Sequence, residues 1–254
     1  MDSKTDVFND GKSFVRLVDW VGDELAIVNA ARVSFHNESE YEEELEYFET
    51  EQTSAPQGIV VGKHLNDKDK GLINFLLKNK HGSPFEQGFM AQFHIRLPIF
   101  VMREWVRHRI GFSINEESAR YVEMRPDFYV PDHIRTQHGK PGAYFFERVE
   151  PESELSRYSI AAIDSASHKA YVSYKNLLDW GVAKEQARVV LPLNLYTEIR
   201  WTCNARSLMN FLALRNTEHA MFEIAAYALV LESIFSEHMP HVHEAFVRAG
   251  RIAP

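Results

Sequence analysis

The chain has one cysteine, Cys203, in 254 residues. A single thiol excludes an internal disulfide framework and any cysteine-rich metal site. No apolar run approaches the ~20 residues needed to span a bilayer, and no charged-then-apolar leader opens the chain, so it reads as cytoplasmic. Gly-x-Gly-x-x-Gly and Walker-type loops are missing, which argues against a Rossmann or P-loop nucleotide site. Basic residues are outnumbered, 28 against 36 acidic, for a formal net charge of −8. That balance argues against coating nucleic acid or an anionic membrane through bulk charge. His238, His241 and His243 lie close in sequence, but no Asp or Cys completes a ligand set and Pro240 breaks the helix that would align them, so no metal is expected.

What is present suffices for a full core, since 45% of the residues are hydrophobic; one domain over 1–254 is expected. Apolar spacing predicts strands over 13–19, 89–97 and 195–203. It predicts helices over 23–33, capped by Asp23, and over 65–80, 151–180, 204–214 and 220–239, with Gly181 stopping the third of these. A further helical turn starts at 83, with Ser83 as cap, Pro84 in the first turn and Glu86 as the capping-box acid. The glutamate-dense stretch 38–51, with its polar tail to 57, reads as a solvent-facing insertion or mobile loop because like charges repel. Residues 121–130 read as extended, and 133–149 as a loop around a Gly-Lys-Pro-Gly turn. Strands and helices mix without repeat or linker, giving an α+β, mixed α/β, single-domain architecture.

Chemistry concentrates after the apolar segment 97–102. Arg107, His108 and Arg109 are followed by Ser113, Asn115, Glu116, Ser118, Arg120 and Tyr121. Arginine offers a planar fork of donors that pairs bidentately with phosphate or carboxylate, so this grouping suggests a socket for a phosphorylated ligand. The alternative is a solvated face, the usual fate of charged runs. On a helix continuing through the cluster, Arg103 would share a face with Arg107, and Glu104 with His108. A second cluster interrupts the apolar helix at 204–214, where Asn204, Arg206, Asn210 and Arg215 break the buried surface. Arginines are rarely buried unpaired, which points to a ligand or a subunit interface.

The stretch RHRIGFSINEESARY resembles the signature of the flavin-dependent thymidylate synthases, Arg-His-Arg, seven residues, then Ser. This chain has one residue more between Arg109 and Ser118, accommodated near Gly111 and Phe112. Ala30 to Phe35, His81 to Glu86 and the run ARVVLPLNLYTEIRWTCNARSLMNFLALR resemble further family segments in the right order, so the resemblance covers most of the chain. It implies the fold of the thymidylate synthase-complementing proteins, arranged as a homotetramer with shared active sites. Ser34, His81, Ser83, Arg107, His108, Arg109, Glu116, Asn204, Arg206, Asn210 and His219 would hold FAD or lie near it. Glu104, Arg107, Glu116, Glu117, Ser118, Ala119, Arg120, Arg188 and Arg215 would hold dUMP, with Ser118, Arg120 and Arg188 suited to its phosphate.

The implied reaction methylates dUMP to dTMP. Methylenetetrahydrofolate is the carbon donor and FAD reduced by NADPH the hydride source, so tetrahydrofolate is released. Arg215 is the residue implied to activate the pyrimidine, its cation favouring ionised N3. Cys203 sits in a strand and core environment, where an uncharged thiol is a poor nucleophile. A non-catalytic nucleotide-binding module, or a flavoprotein acting on another pyrimidine, remains the alternative.

Overall fold

The computed structural model describes residues 4–50 and 53–254. Its centre is a four-stranded sheet in the order β1 (Phe14–Gly22), β4 (Phe89–Pro98), β8 (Tyr196–Asn204), β5 (Phe112–Glu116). Every neighbouring pair in it is antiparallel. Alternation sorts the side chains of these strands. Val15, Phe93, Ile95, Ile199 and Trp201 turn to one face and are buried, whereas Gln92, Arg200, Ser113 and Asn115 turn to the other and stay exposed.

Helices close the buried face. α1 (Glu24–Arg32) starts at Asp23, whose carboxylate accepts from Ala26 N–H at 2.8 Å, so the expected cap is present. α4 (Ile99–Trp105) follows β4 at Pro98, and α7 (Ala205–Arg215) follows β8 at Asn204, whose side chain accepts from Ser207 N–H at 2.9 Å. Between strand and helices lies an aromatic nucleus. Trp201 stacks on Phe93 and Phe112, at 5.4 and 5.2 Å between centroids, and Trp105 meets Trp201 edge-on at 5.1 Å. Burying each such ring is worth roughly 2–3 kcal/mol, so this nucleus fixes where α4 ends and α7 begins.

A second, smaller core of Met124, Phe128, Tyr174, Ala187 and Leu195 lies under α5 (Glu154–Asp179). There α5 grips the irregular segment after β5 by both backbone groups of Met124. Tyr174 Oη accepts from its N–H at 3.2 Å and Tyr171 Oη donates to its C=O at 2.9 Å. Side chains thus hold 121–130, which was expected to be extended but forms only a single bridge, Phe128 to Leu195. α5 ends at Asp179 with Trp180 as its C-cap, and Gly181 takes φ +84 as expected of a stop.

The structure departs from the sequence expectations in several other places. The acidic stretch is not a loop but an antiparallel hairpin of β2 (Glu42–Thr50) and β3 (Thr53–His64); residues 51 and 52 lie outside the described part. Its Glu42, Glu43, Glu44 and Glu46 are exposed, so solvation removes the repulsion that argued against a ladder. Residues 133–149 likewise form a hairpin, β6 (Arg135–Lys140) and β7 (Ala143–Arg148), with the Gly-Lys-Pro-Gly stretch at its turn. Pro240 breaks α8 (Phe222–His238) but starts a further helix, α9 (Pro240–Arg248), because proline fits a first helical turn. The remaining α-helices among the described residues are α2 (Asp67–Lys78), α3 (Ser83–Gln87) and the short α6 (Lys184–Ala187).

Among the buried charges, Glu24 accepts the Val242 N–H at 2.8 Å at the start of α9. Burial outweighs these backbone donors and pushes its carboxyl up to about 7. Since that folded value lies above the unfolded one, the folded state keeps a proton between about pH 4.5 and 7 that the unfolded chain has lost. Stability from this group is therefore complete below about pH 4.5 and declines as pH rises through about 7. Glu24→Gln retains an acceptor for Val242 without the charge. It should melt within a degree or two of wild type at pH 5 yet several degrees higher at pH 8.5, for roughly 1–3 kcal/mol. Equal melting at both pH values would show that the buried carboxylate is not a burden.

Candidate functional site

The Arg-His-Arg segment lies beyond α4, not on it. The helix ends at Trp105, with Val106 as its C-cap, because Trp105 is fully buried against Trp201 and Phe211 and anchors the end of the turn. Arg103 and Arg107 therefore do not share a helical face. The chain turns through Gly111, at φ +71, into β5. The extra residue of the motif is absorbed in this turn, whose Ile110 C=O accepts from Ser207 Oγ at 2.9 Å.

Within that turn Arg107 and Arg109 are exposed, and among the described residues neither has a hydrogen bond or ion pair. His108 is turned inward instead. Its Nε2 accepts from Arg215 Nε at 2.9 Å, and burial together with the Arg215 cation lowers its pKa to about 4, so it is neutral at neutral pH. Arg215, at the end of α7, also forms an ion pair with Glu104 Oε2 at 3.1 Å and donates to the Glu104 C=O at 3.2 Å.

The second arginine of α7 is committed as well. Arg206 pairs with the Glu86 carboxylate and donates Nε to a main-chain oxygen of Pro254 at 2.6 Å. Both α7 arginines thus find partners inside the chain, so neither requires a ligand to satisfy it. The pair also corrects the expected cap of α3. Gly82, not Ser83, is the N-cap and no side chain caps it, because Glu86 reaches across to Arg206. A Cβ at Gly82 would stand 2.8 Å from the Arg206 guanidinium, so only glycine allows this approach. His81, Ser83 and Asn210 are exposed around it, and Ser34 and His219 are exposed in the turns after α1 and α7.

The far end of β5 builds a different cluster. Glu116, Glu117, Ser118, Ala119, Arg188 and Thr197 line a cavity of about 420 Å³ with an apolar lining that includes Leu191 and Leu195. Thr197 Oγ1 donates to Glu116 Oε1 at 2.9 Å, and Ser118 Oγ accepts from Arg120 N–H at 3.3 Å. Burial and the nearby Glu198 carboxylate raise the Glu117 carboxyl above its ordinary value. Glu185 gathers two arginines by different atoms: its carboxylate meets Arg120 Nε at 3.3 Å and its C=O accepts from Arg188 Nε at 3.3 Å. Neither Glu185 nor Thr197 stood out in the sequence. Their only signals are a first-turn acid and a hydroxyl at an inward strand position.

The residues singled out from sequence therefore fall in two groups. His108 and Asn204 lie where β5 starts, beside Phe112 and Cys203, with Arg206 in the first turn of α7 and the Glu104–Arg215 pair at its far end against His108, whereas Glu116 to Arg120 lie where β5 ends beside Ile199, with Arg188 lining the same cavity. At ~3.3 Å per residue the two ends of the strand are on the order of 13 Å apart. Among the described residues no hydrogen bond or ion pair joins the groups.

Cys203 is buried in β8, and desolvation raises its thiol well above the ordinary value, so it is not poised as a thiolate. Cys203→Ala should keep turnover within roughly tenfold, the loss reflecting packing alone. A folded, flavin-containing variant without turnover would contradict this. The three late histidines do not converge: His243 Nε2 meets Glu232 at 2.9 Å and His238 Nδ1 meets the Ile234 C=O at 2.9 Å.

A family model described as thymidylate synthase complementing protein matches residues 16–241. A flavin-dependent thymidylate synthase from Thermosipho africanus is 43% identical over 239 residues, covering 93% of this chain and 92% of the relative. One from Tropheryma whipplei is 46% identical over 205 residues, covering 77% and 84%. The crystal structure of a UMP/dUMP methylase, PolB from Streptomyces cacaoi, bound with 5-Br dUMP, superposes with a TM-score of 0.77 at 37% identity over 94% of this chain and 97% of that one. With the match running through both side-chain clusters and both halves of the sheet, the chain belongs to the thymidylate synthase complementing protein family.

Proposed function

We propose that this chain is a flavin-dependent thymidylate synthase that converts dUMP, methylenetetrahydrofolate, NADPH and a proton to dTMP, tetrahydrofolate and NADP⁺, acting in the cytoplasm. The observation that carries the substrate is the cavity at the end of β5. An apolar wall of Leu191 and Leu195, a Ser118 hydroxyl and Arg188 in the lining, with Arg120 brought to the same Glu185 that holds Arg188, suit a phosphorylated pyrimidine. Ser118, Arg120 and Arg188 bind its phosphate, with Glu116, Glu117 and Ala119 around the rest of the nucleotide. Glu104, Arg107 and Arg215 belong to the opposite cluster.

FAD fits the donors at the start of β5. Arg107 and Arg109 are cations with no hydrogen bond or ion pair among the described residues, and Ser83, Asn210, His81 and His219 stand exposed; such donors suit a diphosphate. Asn204 offers its Nδ2, since its Oδ1 caps α7. Arg206 and His108 frame the same region, Ser34 joins from the turn after α1, and Glu116 would reach the flavin from the β5 end of another copy. The antiparallel pairing of the sheet provides no strand-helix-strand crossover of the kind that holds dinucleotides elsewhere. When bound, the flavin supplies the hydride that turns the transferred methylene into a methyl group.

The separation of the two clusters supports a homotetramer with shared sites, in which the β5 start of one copy faces the β5 end of another. Arg215 then stabilises the pyrimidine with its N3 ionised, the role a thiolate plays by covalent attack in cysteine-dependent chemistry. The experiment is release of tritium from C5-labelled dUMP with NADPH and methylenetetrahydrofolate, alongside sedimentation of the flavin-loaded protein. Release and a tetramer are expected; a strict monomer with full activity would overturn the shared site, and no release the function. Labelled UMP belongs in the same assay, because the Streptomyces cacaoi relative is described as acting on both nucleotides.

A further inference from the structure

We infer that Glu104 is a positioning residue that orients Arg215 and tempers its charge, and is not itself a ligand of the nucleotide. This rests on the proposed role of Arg215 facing the pyrimidine. Every nitrogen of the Arg215 guanidinium already has a protein partner. Nε donates to His108 at 2.9 Å, one terminal nitrogen donates to the Glu104 C=O at 3.2 Å, and the other pairs with Glu104 Oε2 at 3.1 Å. Two of these contacts come from one residue, by backbone and by side chain. A guanidinium carries two N–H groups on each terminal nitrogen, so one on each is left for a ligand. The fork is thereby aimed before any nucleotide arrives, which is the condition for electrostatic stabilisation without reorganisation.

The same carboxylate works against the cation. A negative charge held about 3 Å from the guanidinium offsets part of the attraction that Arg215 exerts on charge developing elsewhere. Among the described residues no other acid forms an ion pair with Arg215. On α8, Glu232 is taken by Asn216, His243 and Arg251. On the α4 side, His108 is neutral, and Arg103 and Arg107 are exposed cations without an ion pair among the described residues. The Arg215 side chain is 19% exposed and that of Glu104 38%, so their interaction is only partly screened by solvent. Glu104 therefore has two effects of opposite sign: its shape favours reaction by aiming Arg215, and its charge raises the pH at which a pyrimidine facing Arg215 loses its N3 proton.

Two substitutions separate them. Glu104→Gln keeps length and an acceptor oxygen but removes the charge; Glu104→Ala removes both. dUMP labelled with ¹³C at C2 and C4 is bound to the flavin-loaded protein, and the carbon shifts are followed with pH, since they report N3 ionisation directly. In Glu104→Gln the midpoint should fall by about one pH unit, roughly tenfold in the ionisation constant, with turnover at saturating dUMP well above that of Glu104→Ala. In Glu104→Ala the midpoint should fall as well, but turnover at saturation should drop roughly tenfold with a smaller change in KM, because Arg215 loses its aim. The side chain is partly exposed, and melting curves check that both variants fold. A midpoint in Glu104→Gln unchanged from wild type, or no ionisation below pH 10.5 in any of the three proteins, would overturn the inference. Wild type that neither binds nor methylates dUMP would overturn the functional reading with it, whereas an active wild type with an unshifted Glu104→Gln variant would overturn the role of Glu104 alone.

Discussion

Arg215→Ala should depress turnover even at saturating dUMP, by about ten- to a hundred-fold, whereas Arg120→Ala should chiefly raise the Michaelis constant. The two residues differ in what holds them. Arg215 is fixed by Glu104 and by a neutral His108, so its cation is set in place and its loss is felt where negative charge grows on the base. Arg120 is half open to solvent and pairs with Glu185 at 3.3 Å. An exposed cation of that kind adds attraction for a phosphate equally in ground and transition states, which appears in KM. Removing one charge-assisted partner costs ~1.5–3 kcal/mol, which sets the expected factor. Steady-state rates at dUMP concentrations far above KM distinguish the two. An Arg215→Ala enzyme with normal saturated turnover would remove that residue from the chemistry.

Local pattern made three of the four sheet strands and most helices legible, but not β5, which follows the Arg-His-Arg turn. Phe93, Ile95 and Leu97 alternate with Gln92, His94 and Arg96, and β4 forms there; Asp23 caps α1 as expected, whereas Asn204, read as a polar interruption of the helix, is the cap of α7. The Arg-His-Arg segment was legible as chemistry but not as geometry. Nothing local ends α4 at Trp105; the ring is held by Trp201 and Phe211, residues about a hundred positions away, and sequence spacing carries no such contact. Glu86 failed for the same reason, as a capping-box acid is indistinguishable in sequence from one that crosses the fold to Arg206. The two hairpins were missed because charge and turn residues were read as loop signals, although each ladder needs only paired backbone and a solvated face. Separation of the site into two clusters lies at the opposite extreme from local pattern, since it follows from which end of β5 each residue occupies.

Gly111→Ala should cost more stability than any other single methyl added in the site, and it should take the Arg-His-Arg turn with it. Gly111 sits at φ +71, where a side chain is disfavoured, and a Cβ there would stand 2.0 Å from Ser207 Oγ and 2.9 Å from Asn204 Nδ2. Both neighbours are fixed: Ser207 donates to the Ile110 C=O at 2.9 Å, and Asn204 caps α7 through Ser207 N–H at 2.9 Å. Relief therefore requires moving either the helix start or the turn that presents Arg107 and Arg109. Gly181 provides the control, because it takes φ +84 with nothing within 4 Å of an added Cβ. Gly181→Ala isolates the backbone cost alone, about 1 kcal/mol and a fall of a few degrees in Tm. Gly111→Ala adds the overlap, for roughly 2–4 kcal/mol in total and a fall of about 5–15 °C. It should also lower the flavin retained on purification, which Gly181→Ala should leave unchanged, since only the first displaces the exposed cations proposed to hold the cofactor. Calorimetry with flavin absorbance on the same samples reads both effects. A Gly111→Ala protein that melts with Gly181→Ala and keeps its full flavin content would show that the turn yields without cost.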